Sequence, residues 1–136
     1  MNPNQKIKAI IADDSPMFLQ GVKTLLQSEG YVDVIATYSN GADLINSELI
    51  NHADILLIDI NMPQIDGINA AKKINFINTK IPMVAITLHK DEVFLQDIIG
   101  AGFKAFVYKP EVASSLIKVI NRVLNNEFVF PNNLKT

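Results

Sequence analysis

Five short apolar runs alternate with five longer amphipathic segments along the chain, and that alternation leaves few folds open. The runs are Ile7–Ala12, Tyr31–Thr37, Ile55–Ile58, Met83–Ile86 and Phe103–Tyr108. The third and fourth lack polar alternates, as strands do when a parallel sheet is covered on both faces. The segments between them predict helices. Ser15-Pro16 opens the first, since Ser caps and Pro suits the first helical position. Phe18, Val22, Leu25 and Leu26 then share one face, and Gly30 ends it. Ser39–Asn51 is a second helix with Leu44, Ile45 and Leu49 inward. Ile68, Ala71, Ile74 and Ile77 make a third stripe, closed before Pro82. Asp91–Gly100 is a fourth, with Val93, Phe94 and Ile98. Leu116, Ile120, Val123 and Leu124 make a fifth, after Pro110-Glu111. Strand then helix, five times over, predicts an α/β fold: an open parallel sheet with helices on both faces and right-handed crossovers.

The 136 residues fit one compact domain, and 49% of them are apolar, enough for a core. Twelve basic and fourteen acidic side chains give a net charge of -2, too weak a field to attract nucleic acid by itself. Arg122 is the one arginine, which argues against a phosphate-reading surface of guanidinium forks. Cysteine is absent, so disulfides, thiolate catalysis and cysteine metal sites are excluded. No stretch of signal-peptide or membrane-span length is present. The expected setting is the cytoplasm, away from membranes.

The polar residues that matter sit where apolar runs stop. Asp13 and Asp14 come after the first run, Asp59 after the third, Thr87 after the fourth and Lys109 after the fifth. In an open parallel sheet those strand ends share one edge, where such folds bind ligands. Clustered carboxylates raise each other's proton affinity, and a hard divalent cation such as Mg²⁺ relieves the repulsion. Carboxylates, metal, hydroxyl and ammonium together suit a phosphoryl group, whose transfer needs positioning and charge neutralisation. Asp59 would be the attacking carboxylate, forming an acyl phosphate. Simpler readings stand beside these. Asp13 and Asp14 read also as helix caps, although Ser15 makes two more caps superfluous. Lys109 reads also as a solvated surface lysine, and Tyr108 as core packing.

The same residues resemble the receiver domain of two-component response regulators, to about Asn126. Asp13-Asp14 is similar to the acidic pair of that family, and Asp59-Ile60-Asn61-Met62-Pro63 with Asp66-Gly67 to its acceptor motif. Thr87 matches its Thr or Ser, Lys109-Pro110 its Lys-Pro, and Phe106 its aromatic switch position. The resemblance implies a flavodoxin-like (βα)₅ fold with strand order 2-1-3-4-5. It implies phosphorylation of Asp59 by a histidine kinase, a phosphotransfer protein or a small phosphodonor. It implies Mg²⁺ (or Mn²⁺) held by Asp14, Asp59 and the Asn61 carbonyl, with Asp13 acting mostly through water. Lys109 would pair with Asp59 and then with a phosphoryl oxygen. Thr87 would donate to another oxygen, and Phe106 would turn inward behind it. The Lys109–Pro110 peptide is expected cis. Asn61 and His89 occupy positions tied to phosphoryl lifetime, though His89 reads equally as a loop histidine. Signal output would be a population shift on the face of the fourth helix, fifth strand and fifth helix, with a homodimer on phosphorylation a further expectation.

The domain boundaries this implies are a receiver over residues 1–126 and a tail over 127–136. The tail's Phe128, Val129, Phe130 and Pro131 either pack back or lead onward. Asn125–Pro131 resembles the helix exit of regulators with a LuxR-type helix-turn-helix, which implies transcriptional output through a domain outside these residues. No helix pair of that kind is present in the chain, so specific DNA binding by it alone is not expected. The rival is a stand-alone receiver acting by protein contact. A phosphohydrolase resembling the haloacid-dehalogenase family fits poorly, because the acids are adjacent and no insert could form a cap.

Overall fold

The structure is a computed structural model that describes residues 6–78, 80–88 and 92–130, the side chains of residues 92–94 excepted. His89, Asp91, the side chains of Val93 and Phe94 and the tail from Pro131 lie outside the described residues. The strands are β1 Ile7–Ala12, β2 Val32–Tyr38, β3 Ile55–Asp59, β4 Met83–Thr87 and β5 Ala105–Tyr108. The helices are α1 Pro16–Ser28, α2 Gly41–Ile45, α3 Gly67–Ile77, α4 Glu92–Gly100 and α5 Val112–Leu124. The strands form one sheet in the order β2-β1-β3-β4-β5, and every pair is parallel.

Side-chain alternation along the central strands builds two cores. Leu56, Ile58, Met83 and Ala85 face α2, α3 and α4, meeting Leu44, Ala71, Ile74 and Ile98. Ile55, Leu57, Val84 and Ile86 face α1 and α5, meeting Val22, Leu26, Leu116 and Ile120. Both faces of β3 and β4 are thereby buried, which is why those two runs carry no alternation. The register sets Ala12 beside Ile58, Asp59 beside Ile86 and Thr87 beside Tyr108. The carboxyl ends of four strands are therefore flush, and the side chains at and just beyond those ends are delivered to one edge.

Several elements differ from the sequence reading for local reasons. The second helix stops at Ile45 and is succeeded by a 3₁₀ turn over Ile50–His52. The Ser47 hydroxyl accepts from the Leu49 backbone N–H, the kind of side-chain competition that ends a helix. Ile77 is the last residue of α3 and is 75% exposed, outside the predicted inward stripe. Phe103 is buried ahead of β5: its N–H bonds Ile98, and the N–H of Gly102 (φ 101°) bonds Ile99. That is a Schellman closure of α4, with glycine in the left-handed position.

A second Schellman closure ends α5. Asn126 (φ 66°) donates to Val123, and Glu127 donates from its backbone to Arg122. The chain then doubles back beside β5. Val129 N–H donates to Lys104 at 2.9 Å and Val129 C=O accepts from Phe106 at 3.1 Å, a parallel bridge centred on Ala105. Phe130 packs against the α2–α4 side of the core and Val129 against the other. Residues 127–130 thus pack back onto the body.

Candidate functional site

Asp13 leaves β1 at the flush edge, its side chain fully buried. Its Oδ1 accepts from the Ser15 N–H at 2.8 Å. The Ser15 hydroxyl in turn caps α1, accepting from the Phe18 N–H at 3.2 Å. Capping is therefore Ser15's task, and Asp13 and Asp14 are not needed for it. Asp14, next along, is exposed.

Asp59 closes β3 with 4% of its surface exposed. Its Oδ1 accepts from the Asn61 N–H at 3.1 Å. The loop beyond it is held tightly. Gln64 and Ile65 adopt left-handed conformations (φ 48° and 71°), the Gln64 C=O accepts from the Ala42 N–H, and the Gly67 N–H returns to the Ile60 C=O. Asp66 caps α3 by accepting from the Asn69 N–H at 2.8 Å. A Cβ on Gly67 would lie 2.2 Å from the Asp59 carbonyl oxygen, so only glycine lets α3 start so near the acid. Gly41 stands in the same relation to Ile65, whose carbonyl oxygen would be 2.0 Å from an added Cβ.

Lys109 reaches over from the end of β5. Its Nζ lies 2.8 Å from Asp13 Oδ2 and 3.7 Å from Asp59 Oδ2. The closer partner is Asp13, where the sequence reading names Asp59. Asp13 Oδ2 is buried and has no aligned hydrogen-bond donor, so the contact with Lys109 is a charge pair rather than a directional bond. The face of the Phe18 ring covers the same ammonium, its centroid 4.3 Å from Nζ. Carboxylate oxygens of Asp13, Asp14 and Asp59 lie within 4.8 Å of one another. Burial pushes the Asp59 carboxyl up to about 6. The Asn61 N–H opposes that rise, Asp13 adds to it, Lys109 opposes it, and Asp14 adds again. A group of three crowded oxygen donors, one of them hard to ionise, is what a hard divalent cation relieves.

Thr87 ends β4 fully buried, beside Tyr108. Phe106 sits two pairs further back, opposite Ala85 and inside the α2–α4 core. The expected cis peptide at Lys109–Pro110 is not found: no described peptide bond is cis. Lys109–Glu111 forms a 3₁₀ turn with Pro110 in its first turn, where the missing N–H is not needed, and trans is the favoured isomer for X–Pro.

With this geometry, the chain matches the response regulator receiver domain over residues 9–121. It belongs to that family. The receiver is 30% identical over 118 residues to the chemotaxis protein CheY of Bacillus subtilis, covering 87% of this chain and 98% of that protein. It is 30% identical over 128 residues to the transcriptional regulatory protein LnrK of the same organism, covering 94% of this chain but 58% of that one. The chain thus spans little more than half of that regulator. In fold it is similar to a LuxR-family response regulator from Aurantimonas sp. SI85-9A1, with a TM-score of 0.88 at 19% identity, over 96% of this chain and 93% of that one. Among the described residues no helix of the receiver is long and apolar enough to cross a membrane.

Sequence reasoning placed Asp13, Asp14, Asp59 and Lys109 together, and the structure brings them together. It put Thr87 on the same edge, where it lies. It missed Phe18 as a neighbour of Lys109, reading it only as a helix-face residue. It also gave no role to Gly41, although Asn40-Gly41 carries a turn and cap signal.

Proposed function

We propose that this receiver accepts a phosphoryl group on Asp59 from a histidine kinase, a phosphotransfer protein or a small acyl phosphate. The observation that carries the reading is a buried carboxylate at a flush strand end, with two further acids and one ammonium converging on it. An Asp59 oxygen would attack phosphorus while the bond to the donor's leaving atom breaks. At neutral pH an acid with its carboxyl near 6 is mostly ionised, so the nucleophile is available. Asp13, Asp14, Asp59 and the Asn61 carbonyl would hold Mg²⁺ or Mn²⁺. Bound there, the cation would neutralise charge on the transferring group. Lys109 would exchange a carboxylate partner for a phosphoryl oxygen, and Thr87 would donate its hydroxyl to another.

Phosphorylation would then bias the α4–β5–α5 face, with Phe106 as the moving side chain, and promote pairing of two copies. We assign the output to transcription, through a DNA-binding region outside these residues. The name and length of LnrK support this. A second reading, a stand-alone module acting by protein contact, is favoured by the near-complete coverage of CheY. In either case the chain is a cytoplasmic signalling module, not a turnover enzyme. The test is incubation with acetyl phosphate and Mg²⁺ and then mass measurement. The native chain should gain one phosphoryl group and Asp59→Asn none. Label that persists in Asp59→Asn would sink the assignment.

A further inference from the structure

Lys109 is a flexible four-carbon side chain that carries a compact charge, yet it is held between groups that all lie far from it in sequence. On one side stand Asp13 and Asp59. On the other is the ring face of Phe18, from the first turn of α1. Phe18 is itself partly buried and packs against the core shared by α1 and α5. Only 16% of the Lys109 side chain remains exposed.

We infer that Phe18 is a positioning residue for Lys109, keeping its ammonium beside the acidic cluster without adding another anion to it. The inference rests on Asp59 being the acceptor. A carboxylate or carbonyl in place of the ring would also hold the ammonium. It would, however, compete as an acceptor with an incoming phosphoryl oxygen. The negative face of an aromatic ring attracts a cation without offering a lone pair to its N–H groups. The N–H donors stay available to Asp13, to Asp59 and then to a phosphoryl oxygen. Moving from Asp13 toward a group on Asp59 is a short shift, since Nζ already lies 2.8 Å from the one and 3.7 Å from the other. The ring also excludes water from one side of the charge, which strengthens its remaining pairs. Ser15 takes part indirectly. By capping α1 through the Phe18 N–H, it fixes the turn from which the ring projects.

The experiment compares Phe18→Leu and Phe18→Met, which keep an apolar side chain, with Phe18→Tyr, which keeps the ring. Two quantities are read at matched folding, checked by urea midpoint. The first is the proton shift of the Lys109 ε-methylene, which an aromatic face displaces upfield. The second is the rate of Asp59 labelling by acetyl phosphate at saturating Mg²⁺. Leu and Met should remove the displacement and slow labelling by about three- to tenfold, the range a partly desolvated cation–π contact supports. Tyr should restore both. Labelling at the native rate in folded Phe18→Leu or Phe18→Met overturns the inference, and so does a Tyr variant as slow as Leu. If the native chain takes no label, the acceptor reading has failed. The methylene shift then still decides whether Phe18 holds Lys109.

Discussion

At the carboxyl ends of the strands, Asp13, Asp59 and Thr87 are buried. At the amino ends the polar groups remain near the surface. Asp54, just before β3, accepts from the Lys8 N–H at 2.7 Å in an exposed position, and Lys104, just before β5, lies over the Phe128 ring. A cavity of about 540 Å³ opens at the amino end, lined by residues including Ile7, Asp54, Lys80, Lys104 and Phe128. The crowded, desolvated charge is at the other end. That cavity contains none of the three converging acids, and the buried carboxylates are the stronger marker of a site, because desolvating an acid is costly and fold alone gives no reason to retain it. The amino end solvates its charges and gains little from pairing them.

The contrast can be broken most severely at Gly67. A methyl there meets the backbone of Asp59 and Ile60, neither of which can swing aside. Gly67→Ala should lower stability by about 3 kcal/mol or more, and an unchanged urea midpoint would show that the acid loop is not tightly packed. A smaller effect of opposite sign is expected at Asp59. Its carboxyl is raised from 3.8 to about 6 in the folded chain, so the folded state binds the proton more tightly than the unfolded one. Stability should fall as pH rises from about 4 to about 6 and level off above that. Asp59→Asn should flatten that decline and, with divalent cations chelated, stabilise the protein at pH 7 by up to about 3 kcal/mol. A parallel decline in both proteins would remove the claim that burial strains this acid. The smallest effect belongs to the amino end. Asp54→Asn should cost less than about 1 kcal/mol, and a larger loss would mean that the two ends differ less than their burial indicates.

How far the sequence was legible depended on the range of the forces involved. β3 and β4 were readable because burial on both faces demands unbroken apolar runs, and β1 because Lys8 alone interrupts its run. The acids were readable because each terminates such a run. The short α2 was not: just past its end the Ser47 hydroxyl takes the Leu49 N–H and also meets the Tyr38 hydroxyl from β2, a contact no local pattern encodes. Phe18 over Lys109 was not either, because it depends on how α1 and β5 pack across the sheet edge, which no local pattern encodes. Lys109 choosing Asp13 over Asp59 is likewise decided by a difference of under an ångström, well below what residue spacing can resolve.

The bridge at Val129 has a mechanical consequence. α5 carries the chain from the carboxyl edge back toward the amino edge, so a chain released at Asn125 would depart on the side away from Asp59. The turn at Asn126 and the parallel pairing with β5 reverse that heading. At Phe130 the chain is aimed along β5, toward the edge that holds the acids. Tension on the chain there would first load the two bonds from Val129 to Lys104 and Phe106, in shear along the strand. A pull from the C-terminal side would thus be felt at the backbone of Phe106 before it reached the end of the last helix.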